Sequence, residues 1–220
     1  MVRLAALSAL LAAHADQPAV VLGTYVTQRS RIELQNMFGY FAHLVPLRLP
    51  WDPTQSFHRW LITVRTLVGD MQGHSMIPYE QLCDAVRQRG VTPPAIHAIF
   101  SVAEHTVPVR FGGLELTWYD PGIGPHMATM PWGFSVVCDQ HQENRRCSVT
   151  FDAHLYDPAQ VRAFINRFVR LLDAASRHPD WPLATLLAMS KTAVPLLSAA
   201  KRWWSFAKDT FHRHTRRAQE

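Results

Sequence analysis

A few side chains in this 220-residue sequence combine a useful chemistry with a definable position. His43 lies in a predicted strand, where an imidazole that titrates near neutral pH could serve as a base. The alternative is a strand histidine that is simply hydrogen-bonded. His74 and Glu80 flank Pro78 and could form a charge pair at the start of a helix, or they could pack against that helix and cap it. These residues do not make up a complete catalytic set.

Metal chemistry is not predicted from the remaining candidates. The chain has 12 histidines and three cysteines, but they are scattered, and neither an H-E-x-x-H motif nor a C-x-x-C spacing occurs. The cysteines, Cys83, Cys138 and Cys147, are odd in number, so a disulfide framework is not predicted and a reducing cytoplasm is the expected location.

The unit that must position these side chains runs from Ala19 to Leu49 and is predicted as strand, turn, short helix and strand. The apolar, β-rich run Ala19–Val26 predicts a strand buried on both faces. Gly23 within it indicates a close backbone approach or a bulge. Arg29 lies at the mouth of the turn that follows.

The short helix is predicted from a capping box, in which Ser30 is followed three residues later by Glu33. Its buried stripe has the helical spacing i, i+3, i+4, i+7 and consists of Leu34, Met37, Phe38 and Phe41. The second strand, His43–Leu49, contains Pro46, which predicts a sheet edge or a bulge.

The rest of the chain continues with helical and strand patterns. Helices are predicted over Phe57–Met71, from Pro78 to Gly90, and over Asp157–Ala175. Strands are predicted over Ile96–Val102, Val107–Phe111 and Leu114–Trp118, with a hairpin from Gly133–Val137 and Cys147–His154. This mixture indicates an α/β fold in which helices cover a mixed β-sheet.

The first 15 residues admit two interpretations. One early arginine, an apolar run and a small-x-small end are typical of a short signal peptide. The run is short for a signal, however, and a buried helix over Leu4–Ala13 that leads into the first strand is the preferred interpretation. No apolar run reaches the roughly 20 residues of a membrane span.

The net charge of +5 comes from the C-terminal end of the sequence. Seven Lys or Arg residues follow from Lys191 onward, so the preceding part holds 15 of the 22 basic and 15 of the 17 acidic residues. Because basic and acidic residues are equal in number before Lys191, this part of the chain is not expected to bind nucleic acid. We therefore expect a body over residues 1–188 and a basic amphipathic helical tail over residues 189–220.

Four segments, in this order, resemble motifs of the condensation domains of nonribosomal peptide synthetases. Val20–Arg29 resembles the V-V-x-G-x-P-V-x-x-R motif, and Phe38–Arg48 resembles I-G-x-F-V-N-T-x-x-x-R. His74–Glu80 resembles H-Q-D-x-P-F-E, and Phe151–Leu172 resembles the closing strand and helix. The resemblance implies a C-terminal subdomain of chloramphenicol acetyltransferase-like fold, within the CoA-dependent acyltransferase superfamily.

The sequence departs from that family at positions that matter for chemistry. The family's Asn in the second motif is His43 here, and its Gln and Asp in the third motif are Ser75 and Met76. The catalytic H-H-x-x-x-D-G motif is absent. In the family it belongs to the N-terminal half, so this chain is expected to be inactive alone.

The resemblance also implies how such a half would work. In the family, two subdomains form a V-shaped pair, and carrier proteins deliver pantetheine-bound thioesters to the tunnel between them. It implies that Arg29 pairs with the aspartate of the missing motif; the alternative is a solvated arginine beside Arg31. His43, Arg48, His74 and Glu80 become candidates for the cleft, and no directly bound cofactor is expected.

Several partners are compatible with these features. The implied partner is an N-terminal half on a separate chain, although a homodimer would also cover an exposed face. The tail could pack on the body, dock an acidic carrier protein, or lie on an anionic membrane through Trp203, Trp204 and Phe211. A second interpretation of function is a non-catalytic docking module for a carrier protein or partner subunit.

Overall fold

The fold is seen in a computed structural model that describes residues 1–15, 18–27, 29, 32–93, 96, 98–103, 110–115, 133–139 and 147–191. The described helices are α1 Val2–Ala15, α2 Ile32–Gln35, α3 Phe57–Gly73, α4 Tyr79–Gln88, α5 Pro158–Arg177 and α6 Leu183–Lys191. The described strands are β1 Ala19–Thr27, β2 Ala42–Pro50, β3 Ala98–Ala103, β4 Arg110–Phe111, β5 Leu114–Glu115, β6 Phe134–Asp139 and β7 Cys147–Phe151.

Five of these strands form one sheet in the order β2-β1-β3-β6-β7. The pairs β1–β2 and β6–β7 are antiparallel, whereas β1 and β3 are parallel. The sheet is therefore mixed, and the predicted α/β class is confirmed. The chain divides into two compact units, one containing Met1–Phe100 and the helices after Pro158, the other containing the described residues of Ser101–Asp157.

The pairing of β1 with β2 is the longest ladder of the first unit. The register runs without interruption from Ala19↔Pro50 to Thr27↔Ala42 and places Gly23 opposite Pro46. β2, which contains Pro46, is an edge strand of the sheet. Proline has no N–H to donate to a second neighbouring strand, so it is tolerated at an edge. The edge position predicted for Pro46 is confirmed.

The prediction that β1 is buried on both faces is wrong for its second half. Leu22 and Gly23 are buried, but Tyr25 is 38% exposed and Thr27 is exposed. Successive side chains alternate between the two faces of a strand, and the face that carries Gly23, Tyr25 and Thr27 leaves the core after Gly23. The opposite face, with Thr24 and Val26, stays half-buried.

The first helix is part of the core. Its residues from Leu4 to Leu10 are all buried, and α1 packs against β1, α3 and α5. The Trp60 indole N–H of α3 donates a 2.9 Å hydrogen bond to the Ala5 carbonyl, and Trp60 is only 1% exposed. The helix predicted over Leu4–Ala13 is thus confirmed, with ends two residues further out on each side.

The other long helices also agree with their patterns. Ser56 accepts a hydrogen bond from the Arg59 N–H and so caps α3, which extends two residues past its predicted end. Gly90 has a φ of +73°, and the Val91 N–H bonds back to the Val86 carbonyl, which ends α4 as the predicted glycine stop. The closing helix predicted from Asp157 is α5.

The second unit contains the predicted hairpin, together with a cross-link that the sequence interpretation did not predict. β6 and β7 pair in a register that places Cys138 directly opposite Cys147, and the two sulfurs form a disulfide. The expectation of no disulfide is therefore wrong for this pair. An odd cysteine count and the absence of C-x-x-C do not reveal the pair, because strand register brings the two residues together.

Other predictions fall partly or wholly beyond the described residues. The predicted strands Val107–Phe111 and Leu114–Trp118 are described only as β4 and β5, which flank Gly112 and Gly113. The basic tail helix, including Trp203, Trp204 and Phe211, lies outside the described residues, and the division at residue 188 stays a prediction. Among the described helices, none is long and apolar enough to cross a membrane.

The tight packing at Gly23 leads to a stability prediction. A Cβ at this position would lie 2.9 Å from both Ile96 Cγ2 and Leu44 Cδ1 and 3.3 Å from Ile99 Cγ1. We expect Gly23→Ala to lower the free energy of unfolding by about 1–3 kcal/mol through overpacking, as measured by urea denaturation.

Gly69 provides the matched control for this substitution. No atom lies within 4 Å of a Cβ built at Gly69 in α3, so Gly69→Ala should raise stability by about 0.5–1 kcal/mol through helix propensity. Equal changes in the free energy of unfolding for Gly23→Ala and Gly69→Ala would contradict a close approach at Gly23.

Candidate functional site

The structure brings most of the predicted site residues to one end of the β1–β2 ladder. Arg29 follows β1, and His43 lies on β2 opposite Val26. His74 and Glu80 lie at the turn between α3 and α4. Arg48 is five positions along β2 from His43, which puts it roughly 16 Å away and on the other face of the sheet. Arg48 is therefore separated from the group.

Arg29 is the most connected side chain of this end. Its Nη1 donates to the carbonyls of Leu34 at 2.6 Å and Met37 at 2.7 Å, and Nη2 donates to the Gly39 carbonyl at 3.2 Å. Its guanidinium carbon lies 4.4 Å from the centre of the Phe41 ring, a cation–π contact. Arg29 is half-buried and is not the solvated arginine that the sequence left open.

The short helix predicted after Arg29 is present, but it ends before the apolar stripe predicted for it, where the Arg29 hydrogen bonds lie. α2 has only four residues, and none of them is buried. In a longer helix the Leu34 carbonyl would accept the N–H four residues on, at Phe38. Here the Leu34 carbonyl accepts from Arg29 and, at 3.3 Å, from the Met37 N–H, and Phe38 lies past the end of the helix and is fully exposed. Ser30 lies outside the described residues.

His43 joins the sheet to the α3–α4 turn. Its Nε2 is hydrogen-bonded to the main-chain carbonyl of Ser75, so Nε2 carries the hydrogen and donates it. Ser75 is buried, and its hydroxyl donates to the Gln72 carbonyl at 2.8 Å. The histidine is thus a hydrogen-bonded strand residue at the base of this end of the sheet.

His74 and Glu80 occupy opposite sides of the turn. The His74 Nδ1 donates to the Asp70 carbonyl at 2.8 Å, which makes it a C-terminal cap of α3. Glu80 is an exposed carboxylate in the first turn of α4, where it meets the positive end of the helix dipole. The capping alternative describes His74, whereas the start of α4 has no side-chain cap.

Two stretches next to these residues in the chain carry exposed apolar side chains, and the sequence did not predict which residues these are. They form what we call the apolar patch, which consists of two stretches: Ile32, Met37, Phe38 and Tyr40 after Arg29, and Met76 and Ile77 after Ser75. Clustered exposed apolar residues usually mark a contact surface. The helical spacing of Met37 and Phe38 predicted that both side chains are buried. Their exposure is therefore seen only in the structure.

Two candidate chemistries of this end can be examined directly. Among the described residues, no group of three His, Cys, Asp or Glu side chains could hold a metal ion. Burial and a hydrogen bond with the Cys83 thiol raise the pKa of the nearby Tyr79 phenol to about 12. Tyr79 therefore stays protonated at neutral pH and is unsuited to general base catalysis.

Comparisons with known proteins agree with this architecture. The family model described as "Condensation domain" matches residues 1–197. The chain belongs to the condensation-domain family. It is 22% identical over 201 residues to a linear gramicidin synthase of Brevibacillus parabrevis, a match that covers 90% of this chain but 4% of that protein.

Two solved structures of the same fold are each about twice as long as this chain. The first condensation domain of the CDA synthetase superposes with a TM-score of 0.61 at 21% identity, covering 83% of this chain and 40% of that one. The X-domain in a complex with OxyB from teicoplanin biosynthesis gives a TM-score of 0.66 at 18% identity, with 84% and 41% coverage. This condensation-family chain therefore spans less than half of either domain.

The Arg29 contacts lead to a prediction about local order. Arg29→Lys should lower the free energy of unfolding by about 1–2 kcal/mol, because an ammonium cannot bridge several carbonyls as a planar guanidinium does. It should also speed amide hydrogen exchange within residues 34–41, as followed by mass spectrometry.

Arg65, an exposed arginine of α3, is the control for the same change. Arg65→Lys should leave both the stability and the exchange of residues 34–41 unchanged. Unaltered exchange in Arg29→Lys would show that the loop does not depend on the guanidinium.

Proposed function

We propose that this chain is the C-terminal half of a condensation-type acyltransferase, which forms amides or esters between carrier-bound thioesters only when paired with an N-terminal half. One observation carries the proposal: the family match extends over residues 1–197, yet the chain spans only 40% of a solved condensation domain. The H-H-x-x-x-D-G motif is also absent from the sequence.

The proposed reaction divides the work between the two halves. The acceptor nitrogen attacks the carbonyl carbon of the donor thioester, a C–N bond forms, the C–S bond breaks, and the pantetheine sulfur leaves with the proton lost by the amine. The N-terminal half would supply the histidine that positions or deprotonates the amine. This chain would supply one wall of the tunnel, which keeps the two thioesters in line and excludes water.

The residues of the candidate site take supporting roles in this proposal. Arg29 holds the 34–39 loop by its carbonyls and is only half-buried, so it can also meet the aspartate of the missing motif. His43, His74 and Glu80 shape the floor beside it. Arg48, on the other face, is the weakest of the cleft candidates that the resemblance implies.

The apolar patch supports the need for a partner. Phe38 is fully exposed and Tyr40 is mostly exposed, next to main-chain carbonyls that Arg29 binds. Met76, in the separate stretch after Ser75, is also mostly exposed. Covering these side chains would remove apolar area from water, which is the main driving force of association. We propose that the N-terminal half covers the patch; a homodimer would cover it in the alternative case.

Other partners and the location complete the proposal. Substrates would arrive on the phosphopantetheine of acidic carrier proteins, and the chain itself would bind no cofactor. The basic tail could steer such carriers or contact an anionic membrane through Trp203, Trp204 and Phe211. A cytoplasmic location fits the carrier-based chemistry.

A docking module is the second candidate function. Its support is the structural similarity to the X-domain, which was solved as a complex with OxyB. In this case the apolar patch would bind a partner protein without any acyl transfer.

Activity reconstitution distinguishes these functions. We expect the purified chain to form no product from carrier-bound thioesters, and we expect amide or ester formation when an N-terminal half carrying H-H-x-x-x-D-G is added, as measured by mass spectrometry. Product formation by the chain alone would overturn the proposal. A stable but inactive complex would favour the docking module.

Substitution in the apolar patch tests where that half binds. Phe38→Ser should weaken the complex at least about 10-fold in Kd, as expected for loss of an apolar anchor, measured by calorimetry. Ile62, an exposed apolar residue of α3, is the matched control, and Ile62→Ser should bind like the unmodified chain. Equal Kd values for both variants would exclude Phe38 from the interface.

A further inference from the structure

The disulfide of the β6–β7 hairpin occupies a position with a specific geometry. The Cα atoms of Cys138 and Cys147 are 4.0 Å apart, closest to the spacing of a non-hydrogen-bonded antiparallel pair. At such positions facing side chains approach most closely, and the ladder continues from this pair to Phe134↔Phe151. The hairpin itself therefore holds the two sulfurs together, whether or not they are bonded.

The two cysteines differ in their exposure to solvent. Cys138 is 0% exposed, whereas Cys147, at the first position of β7, is half-buried. Thiol–disulfide exchange requires an external sulfur to reach its target, so access decides which sulfur reacts. We propose that Cys138 and Cys147 form a reversible redox modification site, in which small thiols and disulfides of the glutathione class react at the Cys147 sulfur.

Formation of the bond proceeds in two exchange steps. The Cys147 thiolate attacks one sulfur of a glutathione-type disulfide, whose S–S bond breaks and releases one glutathione thiolate. Cys138 then loses its proton and attacks the Cys147 sulfur of the mixed disulfide, which releases the second glutathione. Two protein thiols are oxidised and one glutathione disulfide is reduced to two thiols.

Opening of the bond is the reverse sequence. An external thiolate attacks Cys147 Sγ, the Cys138–Cys147 bond breaks, and the Cys138 thiolate takes up a proton. A second external thiol then resolves the mixed disulfide at Cys147. The bond constrains the unfolded hairpin, so the oxidised chain is the more stable form.

Cys83 provides an internal reference for these reactions. It is buried in α4 and hydrogen-bonded with Tyr79, and it belongs to the other compact unit. It has no thiol partner among the described residues, so it should remain reduced in both redox forms.

Thiol counting on the full chain tests the site without any substitution. The chain is equilibrated with excess glutathione disulfide or with dithiothreitol, then denatured, alkylated and weighed by mass spectrometry. We expect one alkylated thiol after oxidation, three after reduction, and a Tm that is higher by roughly 5 °C in the oxidised form. Three thiols after treatment with excess glutathione disulfide would overturn the proposal.

Single variants test which sulfur reacts. Cys138→Ser should accumulate a glutathione adduct on Cys147, whereas Cys147→Ser should form an adduct at Cys138 at least about 10-fold more slowly, because that sulfur is inaccessible. Cys83→Ser is the control and should behave like the unmodified chain. Equal adduct rates in the first two variants would refute the assignment of Cys147 as the reacting sulfur.

Discussion

The Arg29 guanidinium determines the shape of the candidate site through main-chain carbonyls. The last carbonyls of a helix need partners, and they usually find them in water or in a following turn. Here a side chain from the end of β1 donates to the carbonyls of Leu34, Met37 and Gly39. The loop after α2 is therefore tied to the end of a strand, and its form does not follow from its own helix propensity.

That constraint has a cost in exposed apolar surface. Ending α2 after one turn prevents the stripe of apolar residues from reaching a core, and Phe38 and Tyr40 remain exposed. A fixed loop loses less conformational entropy when a partner binds it than a free loop would. A tied, apolar loop is the kind of surface that the proposed partner half would cover.

In the hairpin of the second unit, the strand register determines which cysteines meet. Cys138 and Cys147 meet because antiparallel register places them opposite each other, not because they are close in sequence. Cys83, in contrast, is a buried helical thiol that behaves as part of the packing. The three cysteines of this chain thus divide into a redox-capable pair and a structural residue, a distinction that their number alone does not make.

Sequence by itself determined the elements whose signals are local. The spacing of apolar residues predicted α3 and α5, the β-rich run predicted β1, and Gly23 indicated the close approach to Leu44 and Ile96 that the structure shows. The motifs that resemble condensation domains also pointed to the family. These signals depend on neighbours within a few turns or strands, so one-dimensional patterns capture them.

Tertiary structure decided the contacts between residues distant in the chain. His43 bonds to the Ser75 carbonyl across 32 positions. At the end of α2, Arg29 donates to the Leu34 and Met37 carbonyls, a contact that the helix propensity of the segment does not predict. A long side chain can override a local preference of a few tenths of a kcal/mol per residue, because each charged hydrogen bond contributes about as much as several such preferences.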